Sequence, residues 1–245
     1  MLFRSTGAAA LAARAAMRAG AGMLHLSAVG TLVVDAPVEV VQKPLSSGQW
    51  AAPLVQSVGR FHSFVIGPGI GRDDTTADQA RQAVIEMPLP TVVDGDGLFA
   101  LAWSAQGASA LLRGRSLPTV ITPHDGEYQT LVGRPSGPDR IAAARSLAAD
   151  TGAVVLLKGA TTVVAGPDGR VLVITNGDQR LATAGTGDVL AGIIGALLAR
   201  GVPAVEVASA GAWLHGDALR RLPQSGVVAS DLVDGMQAMP EEIVR

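Results

Sequence analysis

Short apolar runs of strand length recur along this chain, each closed by glycine or proline and followed by a stretch of helical periodicity. A chain built this way is driven toward an α/β fold with a mostly parallel sheet, because each strand must be carried back to the same end by a helix before the next begins. The runs predict strands over 23–28, 63–66, 91–93, 119–121 and 154–157. Segments 161–165 and 171–175, joined by the turn-forming Pro167, Asp168 and Gly169, predict a hairpin. Helices are predicted over 8–19, 75–86, 126–132, 138–150, 187–200 and 203–222. In the fourth, Asp139, Arg140 and Arg145 share one face while Ile141, Ala144 and Leu147 turn toward the sheet, a pattern with no chemistry in it. Residues 42–58, rich in Ser, Gly, Pro and Gln, read as an exposed connection. No internal repeat or convincing domain boundary interrupts the pattern, so a single domain is expected.

Composition narrows the partners. With 48% hydrophobic and 16% charged residues the chain has ample material for a core. Only 3% are aromatic while alanine and glycine abound, so its helices are expected to pack closely through small side chains. A formal charge of −2 without a long basic run gives no electrostatic footprint for nucleic acid or a membrane surface. The absence of cysteine excludes disulfides, thiolate metal sites and cysteine nucleophiles, and fits a cytoplasmic protein. The apolar run 7–23 is interrupted by Arg14 and Arg18 at helical spacing and reads as an amphipathic helix rather than a signal peptide.

Candidate chemistry collects where predicted strands end and helices begin. In Ala184-Gly185-Thr186-Gly187-Asp188 the glycines open a helix whose apolar stripe is Leu190, Ile193, Ile194, Leu197 and Leu198. Free backbone N–H groups at such an end make an anion site, and Asp188 in the first turn is placed either to act as a general base or simply to cap its helix. Lys158, one of only two lysines, closes a buried strand and is followed by Gly159, Ala160, Thr161 and Thr162: a phosphate contact, or a surface lysine at a strand end. Thr122-Pro123-His124-Asp125-Gly126-Glu127 lies at another strand end, where ligands collect in open α/β sheets. There Glu127 can hold Mg²⁺ through water and His124 can touch a substrate; alternatively Asp125 caps the next helix and His124 is solvated.

Gly67-Pro68-Gly69-Ile70-Gly71 has the wrong spacing for a dinucleotide fingerprint and reads as a tight loop approaching a ligand through its backbone. Asp94 and Asp96 stand at a further strand end, as metal or substrate contacts or as turn formers. His25, His62 and His215 lack metal-site spacing and read as structural, and Trp50, Trp103 and Trp213 are too scattered for a stacking platform.

Taken in order, Gly67–Gly71, Val93-Asp94-Gly95-Asp96-Gly97-Leu98, Thr122–Glu127, Lys158–Thr162 and Ala184–Gly192 resemble the ADP- or ATP-dependent NAD(P)H-hydrate dehydratases, which are ribokinase-like enzymes. The resemblance spans nearly the whole chain. It implies a three-layer α/β/α sandwich and a repair reaction in which the ring hydroxyl of (6S)-NADHX or NADPHX is phosphorylated and phosphate is then eliminated. It also implies roles. Asp188 is the base, and Gly185, Thr186 and Gly187 supply the anion hole. Lys158, Gly159, Ala160, Thr161, Thr162 and Gly187 contact ADP or ATP; Ala8, Gly69, His124 and Asp188 line the hydrate pocket; and Glu127 assists Mg²⁺. A cytoplasmic homo-oligomer, commonly a tetramer, is implied as well. The family carries a β-strand and a Gly/Ser-rich turn before its Gly-Ala pair, whereas only six residues precede Gly7 and Ala8 here. The first sheet strand is therefore expected to be missing, the chain to be truncated at its N-terminus, and the epimerase domain of many relatives to be absent. Two other readings stand beside it: a ribokinase-like kinase acting on a vitamin-precursor hydroxyl, which would share the Gly-Thr-Gly-Asp end, and an inactive nucleotide-binding fragment, suggested by the missing first strand.

Overall fold

The structure, a computed structural model, describes residues 5–236. Helix α1 (Thr6–Arg18) is capped by Ser5, whose hydroxyl accepts from the Ala8 amide at 3.3 Å. A two-stranded parallel pair follows, β1 (His25–Leu26) and β2 (Val41–Gln42), then helix α2 (Ala51–Gln56). The main sheet is assembled from β3 (Phe64–Ile66), β4 (Thr91–Val93), β5 (Thr119–Ile121), β6 (Val154–Leu157), β7 (Thr162–Ala165) and β8 (Val171–Ile174), side by side in chain order. The first four are parallel, and β7 and β8 are antiparallel additions closed by the expected hairpin.

Because the parallel strands advance steadily in one direction, their crossover helices share one face. These are α3 (Asp74–Glu86), α4 (Asp96–Ala102), α5 (Gly107–Arg113), α6 (Asp125–Val132) and α7 (Arg140–Thr151). They bury Val93, Ile121, Val155 and Leu157 on one side of the sheet. The alternate residues Val92, Val120 and Leu156 point the other way, into a second core built with α1, α8 (Thr186–Leu198), α9 (Ala204–Ala218) and α10 (Ala229–Gly235). The result is the three-layer sandwich that the resemblance implies.

Small residues set the spacing, as composition requires. α1 lies directly against α8, and a β-carbon on Gly192 would fall on the Ala12 carbonyl. Gly192→Ala is therefore expected to destabilise the protein by about 1–3 kcal/mol through overpacking, seen as a drop of roughly 2–12 °C in a thermal melt. An unchanged Tm would show that the two helices can part without cost.

Several expectations are corrected. The 23–28 segment contributes only His25–Leu26, and to the small pair rather than the main sheet. Residues 42–58 are not merely a connection, since they hold an end of β2 and all of α2, with Trp50 buried beneath. The cause is tertiary: the Gln79 side chain accepts from the Trp50 and Ala51 amides at 2.7 and 2.9 Å, starting the helix from across the fold. In α7, Ile141 is exposed and Ala143, Ala144, Leu147 and Ala148 make the buried face. The predicted helix 203–222 gives way after Ala218 to a 3₁₀ turn, Leu219–Arg221. Residues 1–4, which carry most of the expectation about a missing first strand, lie outside the described residues.

Candidate active site

Parallel strands bring their C-terminal ends to one edge of the sheet, and there the chain leaves β3 at Gly67, β4 at Asp94, β5 at Thr122 and β6 at Lys158. The N-terminus of α8 arrives at the same edge. Gly185 caps it in the left-handed conformation, φ 90°, with Leu11 and Ala229 2.8 and 3.0 Å from where a β-carbon would sit, so both backbone and space demand glycine. The Thr186 hydroxyl donates to the Leu181 and Thr183 carbonyls at 2.7 and 2.9 Å, which fixes the turn and leaves the first-turn amides pointing out of the helix.

What faces those amides is a buried ion pair. Lys158 Nζ lies 2.8 Å from Asp94 Oδ1 and 3.5 Å from Glu127 Oε2. Asp94 is buried and also accepts from Thr122 Oγ1 at 2.7 Å. Lys158 Nζ and Asp94 Oδ2 stand 3.3 and 3.6 Å from the position a Gly187 β-carbon would occupy, so the ammonium is held against the helix end. Burial alone would lower the Lys158 pKa, but Asp94 and Glu127 outweigh it and raise it, so the cation is permanent at neutral pH. Asp94 was legible only as one of two carboxylates at a strand end; its part in holding Lys158 depends on a contact 64 residues away in sequence.

Asp188 is in the first turn of α8. Burial pushes its pKa up to about 7, with Asp94 adding to the rise and Lys158 opposing it, and Asp96 and Glu127 contributing further. A carboxylate held near 7 at a site rich in N–H donors is matched to general-base work at physiological pH. Its capping alternative fails, because the N-cap is Gly185.

The His124–Glu127 turn differs from expectation. His124, not Asp125, caps α6: its Nδ1 accepts from the Glu127 amide at 3.1 Å while Glu127 Oε2 accepts from the His124 amide at 2.8 Å. Asp125 instead bonds Ser136 and Arg140. Arg140, which looked uninvolved in sequence, also donates to the Lys158 carbonyl at 2.8 Å and so braces the end of β6. Glu127 is brought to Lys158, and a backbone bridge sets His124 beside Lys158.

Ala8 and Gly69 also meet. Gly69, φ 63°, sits so close to α1 that a β-carbon would strike the Ser5 carbonyl and lie 3.1 Å from the Ala8 methyl, and the Ser5 amide donates to the Gly69 carbonyl at 3.1 Å. Gly159, Ala160 and Thr161 connect Lys158 to β7, which begins at Thr162. Of the histidines read as structural, His215 is buried in α9, where burial, reinforced by Lys158, pushes its pKa down to about 4, leaving it neutral.

Among the described residues no three His, Asp or Glu side chains are grouped to hold a metal ion directly. The donor set does fit Mg²⁺ carried on nucleotide phosphates, which keeps several waters and asks for one or two carboxylates. Glu127, with Asp94 and Asp188 nearby, supplies that excess of negative charge.

The family model for NAD(P)H-hydrate dehydratase matches residues 3–239. The chain belongs to this family. A bifunctional NAD(P)H-hydrate repair enzyme of Mycobacterium leprae is 44% identical over 213 residues, covering 86% of this chain and 42% of the relative. An ADP-dependent (S)-NAD(P)H-hydrate dehydratase of Neisseria meningitidis is 40% identical over 179 residues, covering 71% of this chain and 60% of the relative. This member of the family thus spans less than two thirds of the length of either relative. Among solved structures, the ADP/ATP-dependent NAD(P)H-hydrate dehydratase of Bacillus subtilis co-crystallised with ATP/Mg²⁺ superposes with a TM-score of 0.76 at 27% identity, covering 94% of this chain and 82% of the other.

Proposed function

We propose that this chain catalyses the ADP- or ATP-dependent dehydration of (6S)-NADHX or NADPHX to NADH or NADPH. The observation that carries the reading is the convergence of Asp188 with the α8 amides and the Asp94-bound Lys158 at the edge that also gathers Ala8, Gly69 and His124. Asp188 takes the proton of the ring hydroxyl, whose oxygen attacks the terminal phosphorus of the nucleotide. Lys158 and the Gly187 amide stabilise the charge on the transferring group. The phosphorylated carbon then loses phosphate and its neighbour loses a proton, restoring the ring double bond. With ADP the products are NADH, AMP and inorganic phosphate, and the hydroxyl oxygen leaves with phosphate. Lys158, Gly159, Ala160, Thr161, Thr162 and Gly187 would hold the nucleotide, and Glu127 would help to hold its Mg²⁺, which would supply charge neutralisation. The ADP-dependent relative of Neisseria meningitidis and the ADP/ATP-dependent dehydratase of Bacillus subtilis support a nucleotide donor and a hydrated nicotinamide acceptor. ADP is the preferred donor in this reading.

The test is to incubate hydrated NADH with Mg²⁺ and ADP or ATP and follow the return of reduced-nicotinamide absorbance. Recovery supports the dehydratase; a stable phosphorylated product without recovery belongs to a small-molecule kinase, and no turnover of folded protein with either nucleotide refutes the reading.

The protonation of Asp188 sets the pH dependence. The base works only when ionised, so kcat/KM for the hydrate is expected to rise about tenfold per pH unit up to about pH 7 and level off above it. Initial rates from about pH 5.5 to pH 9 check this; a flat profile would remove Asp188 as the titrating base.

The reading extends to a cytoplasmic homo-oligomer, of which a tetramer is the form implied by family. Leu172 and Val173 on the terminal strand β8, with Trp213 of α9, leave an apolar, partly exposed surface that supports self-association. No described helix is long and apolar enough to cross a membrane.

A further inference from the structure

Next to the reaction centre is a cavity of about 260 Å³ whose wall includes Arg72, Phe99, His124 and Glu127. His124 and Glu127 tie it to the site already described; Arg72 and Phe99 have no part in that site. Arg72 follows the glycine loop, and its side chain is held by two partners, the Asp96 carboxylate and the Phe99 ring. Its Nε donates to Asp96 Oδ1 at 2.6 Å, and the amide of Gly71 donates to Asp96 Oδ2 at 3.0 Å, so one carboxylate fixes both the side chain and the backbone that carries it. The guanidinium also lies over the Phe99 ring, 4.5 Å from its centroid, and that ring is backed by Trp103 with centroids 4.0 Å apart.

With Nε committed, the two terminal Nη groups have no acceptor among the described residues, and the Arg72 side chain keeps about half its exposure. This is an oriented, partly open fork on a cavity wall, the geometry that matches two oxygens of a phosphate or carboxylate. It lines the same cavity as His124 and follows Gly69 closely in the chain, whereas the cation held against Gly187 is Lys158.

We propose that Arg72 is a substrate-binding residue that grips the diphosphate joining the two nucleosides of the hydrated dinucleotide, with Asp96 and Phe99 as its positioning residues. This rests on the dehydratase reading. It gives the site a way to select a dinucleotide over a small hydroxyl acceptor, because an acceptor without the diphosphate leaves the fork unused.

The experiment compares the full chain with Arg72→Ala and Arg72→Lys, using hydrated NADH, hydrated NADPH and the hydrated dihydronicotinamide riboside, which lacks the diphosphate. Arg72→Ala is expected to raise KM for both hydrated dinucleotides about 10- to 100-fold, the range for losing charge-assisted hydrogen bonds. Arg72→Lys should fall between, since it keeps the charge and loses the fork. KM for ADP and the rate on the riboside should move by less than about threefold. An equal loss on the riboside, a shift in the nucleotide KM, or a loss confined to hydrated NADPH would each overturn the assignment, the last by placing the 2′-phosphate at Arg72. Calorimetric binding of NADH separates the two readings. Arg72-dependent binding by a chain without dehydratase activity upholds the site and refutes only the reaction; an active chain whose hydrate KM ignores Arg72 refutes the site.

Discussion

Asp188→Asn is expected to lower kcat by about 10²- to 10⁴-fold, the range for loss of a positioned general base, while KM for the nucleotide stays within about threefold. The same substitution is expected to make the protein more stable at pH 8. Asp188 has a folded pKa of about 7 against an ordinary value of 3.8, chiefly because burial disfavours its charge. A raised carboxyl pKa means that the stability it contributes is complete below about pH 4 and is lost as pH rises through 7. Above that the folded protein carries a desolvated carboxylate, offset in part by Lys158 and by about 0.3–1 kcal/mol from the helix end. Removing it should gain about 1–3 kcal/mol at pH 8, or roughly 2–10 °C in Tm, and the gain should vanish near pH 4. Activity and stability thus pull in opposite directions at one atom group. A variant that is both active and no more stable than the parent at pH 8 would remove Asp188 as both the base and a strained carboxylate.

Lys158→Met should have the opposite effect on stability and a comparable one on activity. It removes the cation from a carboxylate, Asp94, that is 3% exposed, and leaves that charge with only the Thr122 hydroxyl among the side-chain partners described above. Breaking a buried pair in this way costs about 3–5 kcal/mol, or roughly 6–20 °C. A double variant, Lys158→Met with Asp94→Leu, removes both charges and should recover most of that loss, because no buried Asp94 charge is left without its cation; Glu127 keeps the His124 amide and the Thr122 hydroxyl keeps the Val93 carbonyl. Turnover should not recover. Losing the phosphate-facing ammonium is expected to lower kcat/KM by about 10²-fold or more in both variants. If the double variant regains turnover together with stability, the pair is structural and Lys158 does not meet the phosphoryl group.

The parts of the fold that could be read from sequence are those whose causes are local. Strands Thr91–Val93, Thr119–Ile121 and Val154–Leu157 match expectation to the residue. They are buried on both faces, so they are continuous apolar runs rich in β-branched residues with punctuation at each end. Gly185 and the loop at Gly69 were legible for a similar reason, since their left-handed conformations exclude other residues. What escaped depends on distant partners. Helix α2 is started by Gln79, and short helices α4 and α5 carry too few residues to show a period. Asp94 becomes a clamp only when β4 and β6 set it beside Lys158. Arg72 gave no signal at all, because its orientation comes from Asp96 and Phe99 on α4, beyond α3 and β4 in the chain. The choice of His124 over Asp125 as helix cap turns on which side chain reaches the Glu127 amide, a matter of rotamer rather than residue type.

The central claim is that the ring hydroxyl is phosphorylated before it leaves. The measurement that tests it most directly is the fate of that oxygen when hydrated NADH labelled with ¹⁸O at the ring hydroxyl is turned over by the parent chain with Mg²⁺ and ADP. Transfer of the phosphoryl group to an oxygen activated by Asp188, followed by elimination, places the label in inorganic phosphate, with one AMP formed for each NADH. Recovery of NADH with the label in water would mean that the hydroxyl departs directly, and would contradict the phosphoryl-transfer role assigned to Asp188, Gly187 and Lys158.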